Sequence, residues 1–117
     1  MTMQQDLFTL LSTGATDAAA RVYPVTAPAA TVRPYLTYQR ISASPENILS
    51  GSSGLVNTRL QIDMFADTYA AAQALAAQVA ILMAAWVLPT VQLFSQDLYE
   101  AEEKLHRVSA DFSIWHP

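Results

Sequence analysis

Apolar residues fall at helical spacing near the N-terminus, alternate through the middle, return to helical spacing after residue 67 and alternate again to the end. Met3, Leu7, Leu10 and Leu11 share one side of a helix over residues 3–12, with Thr2 as N-cap and Gly14 as stop. Asp17 is placed to cap a further turn, Ala18 to Arg21. Pro24, Pro28 and Pro34 each remove a backbone donor and bias the preceding residue to extended geometry. They predict an irregular connection with a strand around Val22–Val25. Residues 35–42, YLTYQRIS, are rich in aromatic and β-branched side chains and predict the first clear strand. The segment SASPENILSGSSGL follows, with Pro45, Gly51 and Gly54, and predicts a flexible hairpin loop over 44–54.

Residues 55–65, LVNTRLQIDMF, alternate: Val56, Thr58, Leu60, Ile62 and Met64 point one way, Asn57, Arg59, Gln61 and Asp63 the other. This is the pattern of a half-buried strand in an antiparallel sheet. Asp67 is expected to cap a long helix over 68–87, with Leu75, Val79, Leu82 and Trp86 as its apolar stripe and Pro89 as its end. A weaker strand, 90–96, and a stronger one, 105–115, close the chain around the acidic turn DLYEAEEK. In the stronger strand Val108, Ala110, Phe112 and Ile114 face the core, and Arg107, Ser109, Asp111 and Ser113 face out. Strands in runs around one long helix predict an α+β fold in two layers. A mostly antiparallel sheet would pack against that helix and the short N-terminal one, all within a single domain over 1–117.

Composition adds a functional bias. The 117 residues are 52% hydrophobic and only 14% charged, against roughly 25% charged in an ordinary soluble domain. So few charges leave neutral surface exposed, which is the material of subunit contacts. The net charge is −4 and the six basic residues are scattered. No cluster could neutralise a run of phosphates or bind an anionic bilayer, so nucleic acid and membrane are not expected partners. Tyr69–Leu88 carries no formal charge, but alanine dominates it, Gln73 and Gln78 interrupt it, and no Lys or Arg flanks it closely. A buried helix fits it better than a bilayer span. There is no cysteine, so disulfides and thiolate chemistry are excluded. MTMQQDLFTLL lacks the basic and long apolar regions of a signal peptide. The expected location is a cytoplasm, unless the protein leaves within an assembly.

Candidate chemistry is sparse. His106 and His116 have no partner at a diagnostic spacing, and no HExxH or DxDxDG pattern occurs. Asp97, Glu100, Glu102 and Glu103 match no metal loop and read as a solvated turn that keeps neighbouring strands from pairing at their edges. GSSG at 51–54 is followed by a strand, not by the helix of a phosphate cradle. No catalytic, cofactor or metal residue is therefore expected. Arg59, Asp63, Arg107 and Asp111 alternate in sign on the polar faces of two strands and could form a cross-strand ladder. One reading makes them surface ion pairs of little worth. The other makes them a subunit interface whose register is set by charge. With Arg40, Glu46 and the segment 44–54, they form the candidate interface set.

The chain also resembles a family. LFTLLS near the start, then RVYPVTAP, RPYLTYQRISASPEN, LVNTRLQIDMFADTYAAAQALAAQV and LHRVSADFSIW occur in that order over residues 7–115. The most telling units are PYLTYQRIS, RLQIDMFADTYAAAQALA and RVSADFSIW. Together they resemble the tail-completion, or tail-terminator, proteins of long-tailed bacteriophages and of prophage and gene-transfer-agent relatives. The resemblance implies a compact α+β structural protein without enzymatic activity, located in the virion tail after assembly in the host cytoplasm. It implies a ring, typically a hexamer, assembled from monomers at the head-proximal end of the tail tube. There the ring would stop polymerisation and meet both the tail tube protein and the head connector or stopper. Segment 44–54 would order on contact. Two rival readings stay open: a head-side connector or stopper ring, and a small-molecule binding module with Tyr35, Tyr38, Phe65 and Trp86 around an apolar pocket.

Overall fold

The computed structural model describes residues 3–48 and 51–117, the side chains of 45–48 and 51–53 excepted. The elements are α1 (Met3–Thr13), β1 (Val22–Pro24), β2 (Tyr35–Ile48), β3 (Gly51–Ala66), α2 (Tyr69–Ala84), β4 (Thr90–Glu100) and β5 (Leu105–His116). The strands form one sheet in the order β1-β2-β3-β5-β4. The fold is α+β, as the patterning predicts. The sheet is mixed, however: β1 pairs with β2 in parallel, and the other three pairings are antiparallel. The proline-rich stretch 25–34 carries the chain back so that β2 starts beside β1.

Both helices cover one face of the sheet. Met3, Leu7 and Leu11 of α1 and Ala72, Leu75, Val79 and Met83 of α2 are buried against Leu36, Leu60, Ile62, Met64, Val108, Ala110, Phe112 and Ile114. The inward sets read from the alternation of β3 and β5 are those found, with Val56 only half-buried near the end of the β3–β5 pairing. Complete burial of a Leu or Ile side chain contributes on the order of 1.5–3 kcal/mol, so these residues carry most of the fold.

Helix α2 differs from its sequence expectation in three ways. Its N-cap is Thr68, not Asp67: the Thr68 hydroxyl accepts from the Ala71 N–H at 3.1 Å. Asp67 instead pairs with Arg33 at 2.9 Å. The helix spans 16 residues and ends at Ala84, with Ala85 as its C-cap, several residues before Pro89. Met83, not Leu82, completes the buried stripe; Leu82 and Trp86 are half-buried. Leu82 lies over Gly14, where an added Cβ would meet Leu82 and the Leu10 carbonyl oxygen, the latter at 2.8 Å. Among the described residues no helix is long and apolar enough to cross a membrane. Thr2, the expected cap of α1, lies outside the described residues.

The sharpest correction concerns 44–54. Residues 49 and 50 lie outside the described residues; the rest of this stretch is not a loop. It continues both strands, from Ser44 opposite Asn57 to Ile48 opposite Gly51. Serine and glycine weaken a strand without preventing it, and Pro45 is accommodated by position. On the outer side of β2, Leu36 N–H donates to Arg21 and the Tyr38 carbonyl accepts from Val25. The register shift between Arg40 and Ser42 inserts one residue, after which the alternation turns the Pro45 nitrogen to that outer side, where no ladder bond is lost. β5 pairs with β3 only from Val56 onward, so the end of the hairpin runs on as a two-stranded extension. The molecule is accordingly elongated, 52 × 25 × 24 Å, with a radius of gyration of 15.0 Å, against about 13 Å for a compact chain of this length.

β4 is longer than predicted. It takes in residues 97–100, which the sequence assigned to the acidic turn, and leaves only 101–104 for the reversal.

The open face of the sheet as candidate functional site

The second face of the sheet has no helix on it. β3 and β5 turn Asn57, Arg59, Gln61, Asp63 and Phe65 toward it, with Arg107, Ser109, Asp111 and Ser113 alongside. Alternation predicts these residues to face out, and they do leave the helix side. Yet Asp63, Ser109, Asp111 and Ser113 are buried, at 7%, 4%, 4% and 7% exposure. These are short side chains on central strands, and the long ones around them, Arg59, Arg107, Gln61 and Phe94, roof them over. Sequence alternation tells which way a side chain points but not what leans over it.

The charge ladder forms along diagonals. Arg59, directly opposite Ser113, reaches Asp111 with Nη2 at 2.7 Å and Nε at 3.2 Å. Arg107, directly opposite Phe65, reaches Asp63 at 3.1 Å and Glu100 of β4 at 3.1 Å. Gln61 donates to both oxygens of Asp63 at 3.1 and 3.0 Å, and Asn57 donates to Ser113 at 2.7 Å. The arginines also cover aromatic faces: Arg59 lies 6.0 Å from the Phe94 ring centre and Arg107 5.7 Å from that of Phe65. Each buried carboxylate thus has a guanidinium, and Asp63 has the Gln61 amide as well, the condition under which a buried charge is tolerated. The Nε of Arg107 is buried without a partner among the described residues.

At one end of this face, residues 25–31 overhang a concavity of about 540 Å³, floored by Thr37, Gln61, Asp63 and Arg107 and walled by Tyr35 and Phe65. Those two rings stack at 4.7 Å. Burial raises the Tyr35 hydroxyl pKa above its ordinary value, with Arg33 opposing the shift. Val25 and Ala30 in the overhang both have positive φ, 64° and 62°, which is costly for a β-branched residue such as Val25. Arg33 anchors the segment's end through Asp67 and through the Glu103 carbonyl oxygen at 3.0 Å.

The other expected positions disperse. Arg40 is exposed on the helix side of the sheet, opposite Leu60. Glu46 has its backbone opposite Leu55, and its side chain lies outside the described residues. The four aromatics suggested for one pocket divide: Tyr38 and Trp86 pack on the core, while Tyr35 and Phe65 stack on the opposite face. His106 contacts Tyr69 and Tyr99 on the helix side, and His116 Nε2 lies 2.7 Å from the Thr58 hydroxyl. Of the acidic group, Asp97 accepts from the Tyr69 hydroxyl at 2.9 Å and from Gln73 at 2.7 Å. That hydrogen bond raises the Tyr69 hydroxyl pKa. Among the described residues no group of three or more His, Asp or Glu is arranged to hold a metal.

Glu100, Phe94 and the Tyr35–Phe65 stack belong to this face, and the sequence reading missed them as parts of it. Tyr35 and Phe65 share the parity of Thr37 and Asp63, a signal that was available. Glu100 and Phe94 were not accessible in this way, because β4 carries a register shift between Gln92 and Phe94 that resets which side its residues face.

Comparison with known proteins places this geometry. The sequence profile of the family described as Tail completion protein gp17 matches residues 5–117. No curated protein matches the sequence significantly. Among solved structures, a chain from the virion of a native gene transfer agent particle is similar in fold. The TM-score is 0.65 at 17% identity, covering 83% of this chain and 78% of that one.

Proposed function

The chain belongs to the Tail completion protein gp17 family, and on that basis we propose that it acts as one domain that forms a ring at the head-proximal end of a tail tube. Membership makes it a structural component of a phage-type tail and a virion protein, in a family that is not one of enzymes. In the proposed role the ring ends polymerisation of the tube and offers the surface that joins the head. Its partners are further copies of itself, with a hexamer as the expected closure, the tail tube protein below and the head connector or stopper above.

The observation that carries this reading is the family match over residues 5–117. Physical features support it. Only 14% of residues are charged, and an outer strand, α2 and the turn after it expose Val91, Leu93, Phe94, Ile81 and Val87. Such surface favours association over solitary solubility. The likeness to a gene transfer agent virion chain fits a tail location.

The test is electron microscopy of tails assembled without this protein, before and after adding it back. Over-long or headless tails that become capped, of fixed length and head-competent are the expected result. Normal tails in its absence overturn the reading. Binding to filled heads but not to tail tubes favours the connector alternative.

A further inference from the structure

The two outer edges of the sheet are complementary in direction, length and charge. β4 is an outer strand of 11 residues, with Val91, Leu93, Phe94, Leu98 and Tyr99 exposed and with no Lys or Pro to blunt it. Beyond its register shift at Gln92/Phe94, a long outer strand without those residues is a template for another strand. On the opposite side, β1 shields β2 only at Leu36, Thr37 and Tyr38. Residues 39–48 of β2 are left as a second outer edge, open at Arg40 and interrupted beyond it by the inserted residue and by the outward Pro45 nitrogen.

We infer that these edges pair with one another between copies: β4 of one copy adds antiparallel to β2 of the next, with Arg40 opposite Tyr99. The inference rests on the ring reading and names the contact that closes the ring.

Direction comes first. Along the order β2-β3-β5-β4 every neighbour is antiparallel. A second copy placed in the same orientation therefore brings its β2 to β4 antiparallel. Such a head-to-tail contact uses two different surfaces and repeats around a rotation axis, as a closed ring requires.

Backbone parity agrees. Leu36 and Tyr38 use their outer groups on Arg21 and Val25, so Arg40 is the next residue with N–H and C=O turned outward. On the other edge, Trp115 N–H donates to the Pro89 carbonyl, toward β4. Arg107, Ser109 and Asp111 therefore face β4, and their partners Leu98, Gln96 and Phe94 face inward. Ser95, Asp97 and Tyr99 are left with outward backbone groups. Arg40 and Tyr99 thus present free donors and acceptors to each other.

Side chains agree as well. Arg40 shares the side of Leu60, and Tyr99 shares the side of His106; both are the helix-covered side. Paired in this register, Arg40 lies against the Tyr99 ring and diagonal to Asp97, within reach of a cross-strand charge contact. Arg40 has no ion-pair partner among the described residues, whereas Arg33, Arg59 and Arg107 do. Asp97 is held by neutral donors only. An unpaired cation on one edge and an unpaired anion on the other are satisfied by the same contact.

The chain has no cysteine, so an introduced pair reports the contact directly. Arg40→Cys combined with Tyr99→Cys, assembled on tail ends and oxidised, is expected to give a non-reducing gel ladder extending to the ring. The two single variants mixed should stop at dimers. Rings of normal yield without a ladder overturn the edge pairing and leave the ring reading intact. Absence of any ring, with the wild-type chain as well, overturns both. Independently, Arg40→Asp should assemble about tenfold more weakly, as expected for loss of one interface charge pair, and Asp97→Arg in the same chain should restore assembly. Circular dichroism checks that both variants fold. Wild-type assembly by Arg40→Asp contradicts the charge match.

Discussion

The two faces of the sheet bury comparable numbers of central positions by different means. On the helix side, Leu60, Ile62, Phe112 and Ile114 are sealed by a second layer, and each is at most 2% exposed. On the open side, Asp63, Asp111, Ser109 and Ser113 are nearly as buried with no second layer above them. They are short, and arginine, glutamine and phenylalanine side chains from neighbouring positions fold over them. The first mode removes apolar area from water and is not screened by salt. The second depends on hydrogen bonds and ion pairs, and its roof consists of long side chains whose stems lie over the short ones. A face built the second way can hold its charges in place and still accept a partner.

The contrast can be tested by substitution, starting where the largest effect is expected. Leu60→Ala removes a fully buried side chain under the helices and should destabilise by about 3 kcal/mol in denaturant titration. A loss under about 1 kcal/mol would show that the helical layer is not the main seal. Asp111→Ala strips Arg59 of its carboxylate. Removing one partner of a fully buried pair costs roughly 3–5 kcal/mol, but the Arg59 side chain is 43% exposed and can rehydrate, so about 2 kcal/mol is expected. A double-mutant cycle with Arg59→Ala should give a coupling of about 1 kcal/mol, and zero coupling would reduce the ladder to surface decoration.

Thr68→Ala removes the cap of α2 and should cost about 1 kcal/mol, readable as a lower Tm. Asp67→Ala should do less, about 0.5 kcal/mol, because its pair with Arg33 is largely exposed. The reverse order would restore Asp67 as the cap. Phe94→Ala, on the rim of the open face, should change monomer stability by only about 0.5 kcal/mol. A large loss there would mean that the roof, not the core beneath it, holds the sheet.

Much of the fold was legible in the residues. Strict alternation in 55–65 and 105–115 predicts β3 and β5 and their inward sets, because period-two burial has one structural meaning. The two helices follow from period and caps, with the error at Asp67 arising because two cap-competent residues stand side by side. The described part of 44–54 departs from the loop its composition predicts because serine, glycine and proline mark loops only on average. Here backbone pairing and an outward-facing proline nitrogen allow strands. β4 was read short since its polar and apolar residues do not alternate cleanly across a register shift.

For the candidate site, the sequence located Arg59, Asp63, Arg107 and Asp111 on one face, and the resemblance in RLQIDMFADTYAAAQALA and RVSADFSIW pointed to the family. It could not pair them, since the contacts run diagonally rather than straight across. It did not reveal Glu100 as a third partner, because that depends on where β4 ends.

Local chemistry alone therefore determined the two helices, β3 and β5, the apolar face and the kind of protein this is, since periodicity, composition and ordered motifs are properties of the chain itself. Tertiary structure decided which carboxylates are buried, which strands stand at the edges and which arginines form ion pairs among the described residues. Those outcomes depend on register and on side chains from strands distant in sequence, and no local pattern encodes them.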